Sequence, residues 1–442
     1  MSASVFMLAV LILYLPNQGN FPTSLGVMGL NVFNILFLVT LITLALRSRP
    51  ASIARTPRPP MTGILLAYYG AFGLALVIAF LRGSPHPVDD IVAYKNLVSY
   101  SLMYFLAYYG TRDISQIRFL VALVMVVFVA AAIEAIAQGI HYGLQDFDYG
   151  QRASGPFGEG AGNSNFAGIF YAIFSTFALT IALLGKSLKT RYRLLAAGAY
   201  GIGCLAIFAT FSRQAFLVIG VTTLLLALRR NPLVAACAVA AMLAYPLWAP
   251  QGVIERIEMT QQETLRGQEV LERSAASRYA LWGAAVEILK RNPAGIGLNQ
   301  FQREVEPYLP AWIEARDAQN QYLRNAAEAG VIGLVVFLLL LLSFFRLGLR
   351  IKRLEQPPDA KVLGTAFTVS VLAVCLGNIF SSTFAFGEIM ANFWILAGLL
   401  ARYAVIAEQE EKEKLPAQAG DTVEGIRQVY ARWQRQPGGA DR

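Results

Sequence analysis

Residues 329–345 read AGVIGLVVFLLLLLSFF, an unbroken run of 17 residues without a charged side chain. At about 1.5 Å per residue, a helix of this length crosses most of the roughly 30 Å hydrocarbon core of a bilayer. Similar apolar runs recur along the 442-residue chain, which is 56% hydrophobic and only 15% charged. Soluble domains are about 45–50% apolar and about 25% charged. The sequence therefore predicts an all-α polytopic membrane protein and excludes a soluble enzyme, a disordered chain and a fibrous repeat.

The apolar runs predict about twelve transmembrane helices. They lie near residues 3–16, 24–46, 62–82, 91–110, 117–138, 163–185, 193–211, 214–229, 232–249, 320–345, 362–383 and 386–406. The chain then divides into four parts. These are helices one to nine (1–249), a large loop (250–319), helices ten to twelve (320–406) and a charged tail (407–442).

Lysine and arginine residues concentrate in the connections that follow even-numbered spans. In chain order they are Arg47, Arg49, Arg55 and Arg58; Lys186, Lys189, Arg191 and Arg193; Arg229 and Arg230; and Arg346, Arg350, Lys352, Arg353 and Lys361. Cytoplasmic loops are enriched in Lys and Arg, so both termini are predicted to be cytoplasmic. This topology accounts for the net charge of +9, and no motif indicates a nucleic-acid partner.

The large loop 250–319 is then predicted to face outward, together with the glycine-rich loop 139–162. Within the large loop, residues 274–290 have helical spacing, and Pro293 and the two following glycines favour a tight turn. The apolar residues that share one face of this predicted helix are Tyr279, Trp282, Val286 and Leu289. The tail is either an interfacial helix on anionic lipid or a frayed terminus.

Two arginines lie at the predicted outer face beside apolar segments. Arg213 follows Ser212 between spans seven and eight, and Arg278 follows Ser277 in the large-loop helix. The planar guanidinium fork suits phosphate oxygens, so the pair is predicted to grip one diphosphate. The alternatives are that Arg213 snorkels to the lipid headgroups and that Arg278 is solvated.

The segment 152–165 is rich in glycine and precedes span six. Its flexible backbone can approach a ligand closely, and Asn163 and Asn165 are candidates to hydrogen-bond sugar hydroxyls. Arg152 is a further candidate for substrate binding. The alternative is a plain glycine-rich turn.

Polar residues also crowd the predicted start of span ten. They are Asp317, Gln319, Asn320, Gln321, Tyr322, Arg324 and Asn325. Such residues are costly in a membrane unless they line a cavity or hydrogen-bond between helices. Asp317 has the alternative role of a helix cap.

These segments together resemble the O-antigen ligase and polymerase superfamily of bacterial envelope glycosyltransferases. The matching motifs are the glycine-rich loop, Ser212-Arg213, and Ser277-Arg278 followed by Trp282, Pro293 and Gly295-Ile296-Gly297. The fourth motif of the family reads His-Asn, nine residues, Gly, two residues, Gly. Here it is Gln319-Asn320, residues 321–329, Gly330, Val331-Ile332 and Gly333. The resemblance covers about residues 150–340.

The resemblance implies a GT-C-like fold in the bacterial inner membrane and transfer of a glycan from undecaprenyl diphosphate without a metal or other cofactor. Arg213 and Arg278 would hold the diphosphate, Gln319 would take the place of the catalytic histidine, and Asn320 and Tyr322 would help to bind substrate. The implied partners are the lipid-linked glycan, an acceptor glycan or glycolipid and membrane lipid, with a chain-length regulator as a further candidate.

Glutamine at position 319 departs from the family, because its amide does not accept a proton at neutral pH. Asp317, Glu328, His86 or His141 could supply a base instead, or Gln319 could only orient the acceptor; an engineered change from histidine is a further alternative. Because ligases are the members most firmly tied to the histidine, the sequence favours a repeat-unit polymerase over a ligase. A twelve-span transporter or flippase is the alternative of another class, followed by a non-catalytic scaffold.

Overall fold

The structure is a computed structural model that describes residues 2–22, 25–26, 31–46, 57–143, 148, 150–158, 161–258, 261–263, 269–271 and 273–434. The basic residues Arg47, Arg49 and Arg55 lie outside these ranges. The helices of the described residues are α1 (Ala3–Tyr14), α2 (Val32–Ala45), α3 (Thr62–Leu81), α4 (Pro87–Gly110), α5 (Ile114–Tyr142), α6 (Ala161–Leu184), α7 (Thr190–Ala209), α8 (Arg213–Arg230), α9 (Pro232–Leu243), α10 (Gln251–Glu258), α11 (Arg273–Arg291), α12 (Phe301–Glu304), α13 (Gln321–Lys352), α14 (Ala360–Gly377) and α15 (Gly387–Gln434). A short antiparallel pair, β1 (Gln261–Glu263) and β2 (Glu269–Leu271), joins α10 to α11.

Each of the twelve predicted spans overlaps a helix of the described residues. Among the described residues, eight helices are long and apolar enough to cross a membrane, namely α1 with its short continuation, α3, α5, α6, α7, α13, α14 and α15. The apolar helices α2 and α9 are shorter, with 14 and 12 residues, and α4 and α8 are longer but more polar. The structure therefore confirms a polytopic helical membrane protein, while the count of twelve spans stays a prediction.

The helices divide into a buried centre and an apolar periphery. Within the most apolar 18-residue stretch of each helix, 94% of the residues of α15 and 78% of those of α6 and α14 are buried. The corresponding share for α3 and α7 is 28%. Peripheral helices leave large side chains open, such as Leu194 and Leu195 on α7 and Leu338 on α13. Extended apolar surfaces of this kind mark contact with a partner or a lipid phase, and here they form the outside of the bundle.

Ion pairs stabilise the end of the bundle at which the basic connections lie. Arg118, near the start of α5, donates to both carboxylate oxygens of Asp359 at 2.6 and 2.7 Å, and Tyr403 donates to the same carboxylate at 2.7 Å. Arg350, near the end of α13, donates twice to Glu408 at 2.6 Å. The α7–α8 turn and the start of α13 are at the other end of their helices, so the predicted functional segments lie opposite the basic connections.

Helix α13 is broken at Gly330, which has φ 66° and ψ −166°. The turn formed by residues 293–298 packs into the break, where the Gly297 N–H donates to the Glu328 carbonyl at 2.9 Å. A Cβ on Gly330 would lie 2.4 Å from the Pro293 carbonyl oxygen. Two glycine-containing motifs that are far apart in sequence therefore interlock, and each requires the absence of a side chain in the other.

Alanine at position 330 is expected to lower the free energy of unfolding by about 1–3 kcal/mol or more, because a left-handed backbone strains any residue with a Cβ. Thermal denaturation in detergent measures the effect as a lower Tm. Gly198→Ala in α7 is the matched control, since a Cβ there meets nothing within 4 Å. Equal Tm values for the two variants would contradict this account of the break.

The large loop has a small core of its own. Helix α11 matches the predicted helix 274–290, but its buried face is not the one that the apolar spacing indicates. Tyr279 is 61% exposed and Val286 is 38% exposed. The buried residues of this core are Leu281, Ala284, Ala285, Ile288, Ile296, Phe301, Val305 and Ala318, together with Ala327 of α13. Tyr279 and Val286 of the apolar stripe therefore face outward, whereas Trp282 and Leu289 are half-buried.

Asp90 at the start of α4 anchors the large loop to the bundle. Its buried carboxylate accepts hydrogen bonds from Asn299 at 3.0 Å, Gln300 at 2.8 Å and Arg303 at 2.9 Å, and from Ser84. Asn299 has φ 64°, a conformation that asparagine tolerates better than most residues. The loop is thus held at a defined position over the end of the bundle that carries the start of α13.

Candidate active site

A strained turn between α7 and α8 places Arg213. Phe211 has φ 49°, which costs a non-glycine residue roughly 1–3 kcal/mol, and the Ser212 N–H donates to the Thr210 hydroxyl at 3.3 Å. A Cβ on Gly168 of α6 would lie 2.9 Å from Cβ of Ser212, so α6 approaches the turn closely. The turn makes Arg213 the first residue of α8, at the junction where the sequence predicts it.

The glycine-rich loop binds to this turn through Arg152, which is only 5% exposed. Its guanidinium donates to the Thr210 carbonyl at 2.9 Å and to Oδ1 of Asn165 at 2.8 Å. Ser164 donates to the Arg152 carbonyl at 2.9 Å, and Asn163 lies in the same first turn of α6. The loop is therefore a fixed part of the site, and Asn165 orients an arginine.

Four arginines converge at this end of the bundle. Burial, together with repulsion from Arg256, Arg278 and Arg213, lowers the pKa of Arg152 to about 9. Arg256 and Arg278 also repel Arg213. Arg256, in α10, is 5% exposed, and burial lowers its pKa to about 10. We call Arg152, Arg213, Arg256 and Arg278 the arginine cluster. Arg152 and Arg256 are buried and Arg213 and Arg278 are half-buried, and like charges brought together in this way favour the binding of an anion.

Arg278 also joins the large loop to the start of α13. Its Nε donates to Oε1 of Gln319 at 2.8 Å, and Trp282, one turn further along α11, donates to the Ala318 carbonyl at 3.1 Å. Gln319 has φ 50°, and its N–H donates to Asp317 at 2.9 Å. Gln319 therefore serves as an acceptor that holds the guanidinium of Arg278.

The neighbouring candidates have other contacts. Asn320 is the N-cap of α13 and accepts from the Leu323 N–H at 3.1 Å. The suggestion that Asp317 caps this helix is therefore wrong, because Asp317 pairs with Arg324 at 3.1 Å. Tyr322 donates to the Cys375 carbonyl at 2.9 Å, which links α13 to α14.

A cavity of about 410 Å³ adjoins this segment. Among the polar residues that crowd the start of α13, its lining includes Asp317, Gln321, Arg324 and Asn325. The alternative that polar residues of the first turns line a cavity is therefore confirmed for Gln321, Arg324 and Asn325. The candidate residues therefore form two groups. Asn165 and Gln319 contact the arginine cluster, and Asp317 lies at the edge of the cavity.

The histidines are outside both groups. His86 precedes α4 and His141 lies in the last turn of α5, and both are exposed. Glu328 is buried and pairs with Arg324 at 3.3 Å. Sequence reasoning missed Arg256, because Glu255 and Glu258 make its segment look like a solvated helix; the only signal is its position three residues after the apolar Val253.

The fold and site define a multi-pass helical membrane protein with a cationic site at one end of its bundle. Residues 198–338, about a third of the chain, match the O-antigen ligase family (Wzy_C). This match includes Arg213, Arg256, Arg278 and Gln319 and confirms the resemblance to the O-antigen ligase and polymerase superfamily. Members of the family are glycosyltransferase-like enzymes, and the match together with the apolar helices points to a multi-pass protein of the bacterial inner membrane.

A search of the curated proteins finds no match to the chain.

Proposed function

We propose that the protein polymerises undecaprenyl-diphosphate-linked oligosaccharide repeat units of an O-antigen or exopolysaccharide. The observation that carries the proposal is the convergence of four arginines at the end of the bundle opposite the basic connections. With both termini in the cytoplasm, that end is periplasmic, where the lipid-linked glycan would be used. Loop 250–319 then forms a periplasmic cover over a GT-C-like membrane domain.

The reaction joins an acceptor hydroxyl to the anomeric carbon of the donor glycan. The new carbon–oxygen bond forms as the bond from that carbon to the diphosphate oxygen breaks, and the diphosphate leaves with an additional negative charge. Arg213 and Arg278 stabilise this charge in the transition state, which is usually the largest electrostatic contribution to catalysis. Arg152 and Arg256 keep the surrounding potential positive. The step requires neither a metal nor a nucleotide.

The proton of the acceptor hydroxyl passes to a carboxylate, because the amide of Gln319 does not take it. Asp317 suits this role better than Glu328. Its side chain is 27% exposed, whereas that of Glu328 is 3% exposed. Asp317 also contacts Gln319 directly, so it lies between the arginine cluster and the cavity.

The test is to incubate the purified protein in nanodiscs with an undecaprenyl-diphosphate repeat unit and to resolve the products on a gel. A ladder of products supports the polymerase. Transfer to added lipid A core, without a ladder, would identify a ligase that uses the same site. If lipid diphosphate is not released in either assay, the proposal fails, and transport becomes the better explanation.

Asparagine at position 317 is expected to reduce kcat by about 10²–10⁴-fold with little change in KM, because general base catalysis contributes that much. Single-turnover release of lipid diphosphate measures the rate. Asp317→Glu is expected to restore part of it, which a merely structural role in the pair with Arg324 does not predict. Wild-type kcat in Asp317→Asn would remove this residue from the mechanism.

Alanine at position 319 is expected to lower kcat by about tenfold or more, because Arg278 loses the acceptor that orients it. Gln319→Glu keeps an acceptor at that position and is the matched control for the hydrogen bond. Rates of lipid diphosphate release compare the variants. Activity of Gln319→Ala near the wild-type level would show that this residue has no chemical role.

A further inference from the structure

The cavity at the start of α13 has the size of a small-molecule site. Its volume of about 410 Å³ lies within the roughly 300–1,000 Å³ that is usual for small-molecule sites. Its walls come from α3, α4, α13, the start of α15 and the turn before α12. Five separate parts of the chain therefore close around it.

The lining combines aromatic rings with amide side chains. Tyr100 contributes a half-buried ring beside the almost fully buried rings of Tyr68 and Trp394, and Asn96 and Asn325 contribute amides. Rings suit the C–H faces of a pyranose, and amides both donate to and accept from hydroxyl groups. This combination of aromatic and neutral hydrogen-bonding groups suits a sugar better than a lipid chain.

The charges of the lining are unequal. Three carboxyl groups, of Asp317, Glu328 and Glu388, face a single guanidinium, that of Arg324. Arg324 pairs with Asp317 at 3.1 Å and Glu328 at 3.3 Å. Among the described residues, Glu388 has no hydrogen bond or salt bridge. It lies in the first turn of α15, where the helix dipole favours a negative charge.

We propose that this cavity is the subsite for the acceptor sugar and that it selects amino and neutral sugars over uronic acids. Naming the sugar as the acceptor rests on the proposed function, whereas the charge preference rests on the cavity alone. A second anion is repelled by Glu388, while an ammonium group gains a partner there. The diphosphate remains in the arginine cluster, so the two ends of the site have opposite electrostatic character.

Asp317, at the edge of the cavity, connects the cavity to the arginine cluster. Asp317 lines the cavity and also accepts from the Gln319 N–H, and Gln319 in turn binds Arg278. A sugar held in the cavity therefore has its nearest route to the arginine cluster past residues 317–319. This is the direction in which an acceptor hydroxyl must point.

The experiment measures binding without any transfer. Methyl glycosides of glucosamine, N-acetylglucosamine and glucuronic acid are titrated into the purified protein in nanodiscs, and their affinities are compared by saturation-transfer NMR. The wild-type protein is expected to bind the amino sugar most tightly and the uronic acid at least about tenfold more weakly. Glu388→Gln is expected to reduce that preference by several-fold, because one charge is removed.

Two further variants separate the cavity from other surfaces and from catalysis. Ala93→Phe fills the cavity from α4 and should abolish binding, whereas Ile91→Phe, on the exposed side of the same helix, should not. Arg213→Ala should stop transfer while leaving the binding of the three probes unchanged.

Equal binding of the three probes, preference for the uronic acid, absence of binding, or binding that survives Ala93→Phe would each overturn the inference. Failure of the proposed function gives a different result. In that case the probes bind with the expected order, but the lipid-linked repeat unit gives neither a ladder nor released lipid diphosphate.

Discussion

Replacement of Arg213 by alanine is expected to abolish polymer formation while the protein still inserts and folds. Arg213 begins α8 directly after a turn whose strain and close packing place it beside the other arginines. Removing one preorganised group that stabilises a developing anion costs about 10²–10³-fold in kcat. The loss should be at least this large, because the leaving diphosphate carries more charge than a single oxyanion.

The measurement is the rate of lipid diphosphate release together with the ladder of products. Arg213→Lys keeps the charge but lacks the planar fork, so it should retain only a part of the activity. The control is Arg191→Ala, an exposed arginine near the start of α7, at the opposite end of the bundle. A normal ladder from Arg213→Ala would exclude this residue from the mechanism.

Replacement of Arg278 by alanine is expected to cause a second loss of about 100-fold or more. The variant loses a guanidinium at the diphosphate, and it also breaks the hydrogen bond of 2.8 Å to Gln319. Arg291→Ala, on the same helix, is the matched control. Its side chain is 63% exposed, forms a surface pair with Glu287 and lies over the ring of Tyr308, and surface pairs of this type contribute little.

The double variant of Arg278 and Gln319 tests whether the two residues act together. If Gln319 works by orienting Arg278, Gln319→Ala should add little to Arg278→Ala, because residues in one hydrogen-bonded unit are not additive. Fully additive losses in kcat would show that Gln319 contacts the substrate independently. The cycle therefore distinguishes a positioning residue from a separate catalytic residue.

The proposed role of the arginine cluster depends on the position of the loop that Asp90 anchors. Arg213 comes from the membrane bundle, whereas Arg256 and Arg278 come from the large loop. The two sources meet only if the loop lies at a fixed position. The buried carboxylate of Asp90 binds three side chains of the loop, Asn299, Gln300 and Arg303. This hydrogen-bond network holds the loop in place and so keeps the arginines of the loop beside Arg213.

The sequence by itself determined the helical class of the fold and the segments that carry the site. Apolar runs show helices reliably, because a backbone in lipid must satisfy its hydrogen bonds within each helix. The motifs around Arg213, Arg278 and Gln319 were also visible, since each is a local pattern of residue types. Helices α2 and α9 are shorter than the apolar runs from which they were predicted. Their boundaries differ from those runs because turns and caps end the helices early.

Only the tertiary structure decided which of these residues meet. Arg152 and Arg256 are separated by about a hundred residues from each other, and no local period relates them. The break at Gly330 becomes understandable only with the turn at Pro293 packed into it. The carboxyl groups of the cavity come from α13, its preceding segment and α15. The periodicity of apolar residues indicates which face of a segment is exposed to water or lipid. The candidate site depends instead on contacts between distant segments, and only tertiary packing forms those contacts.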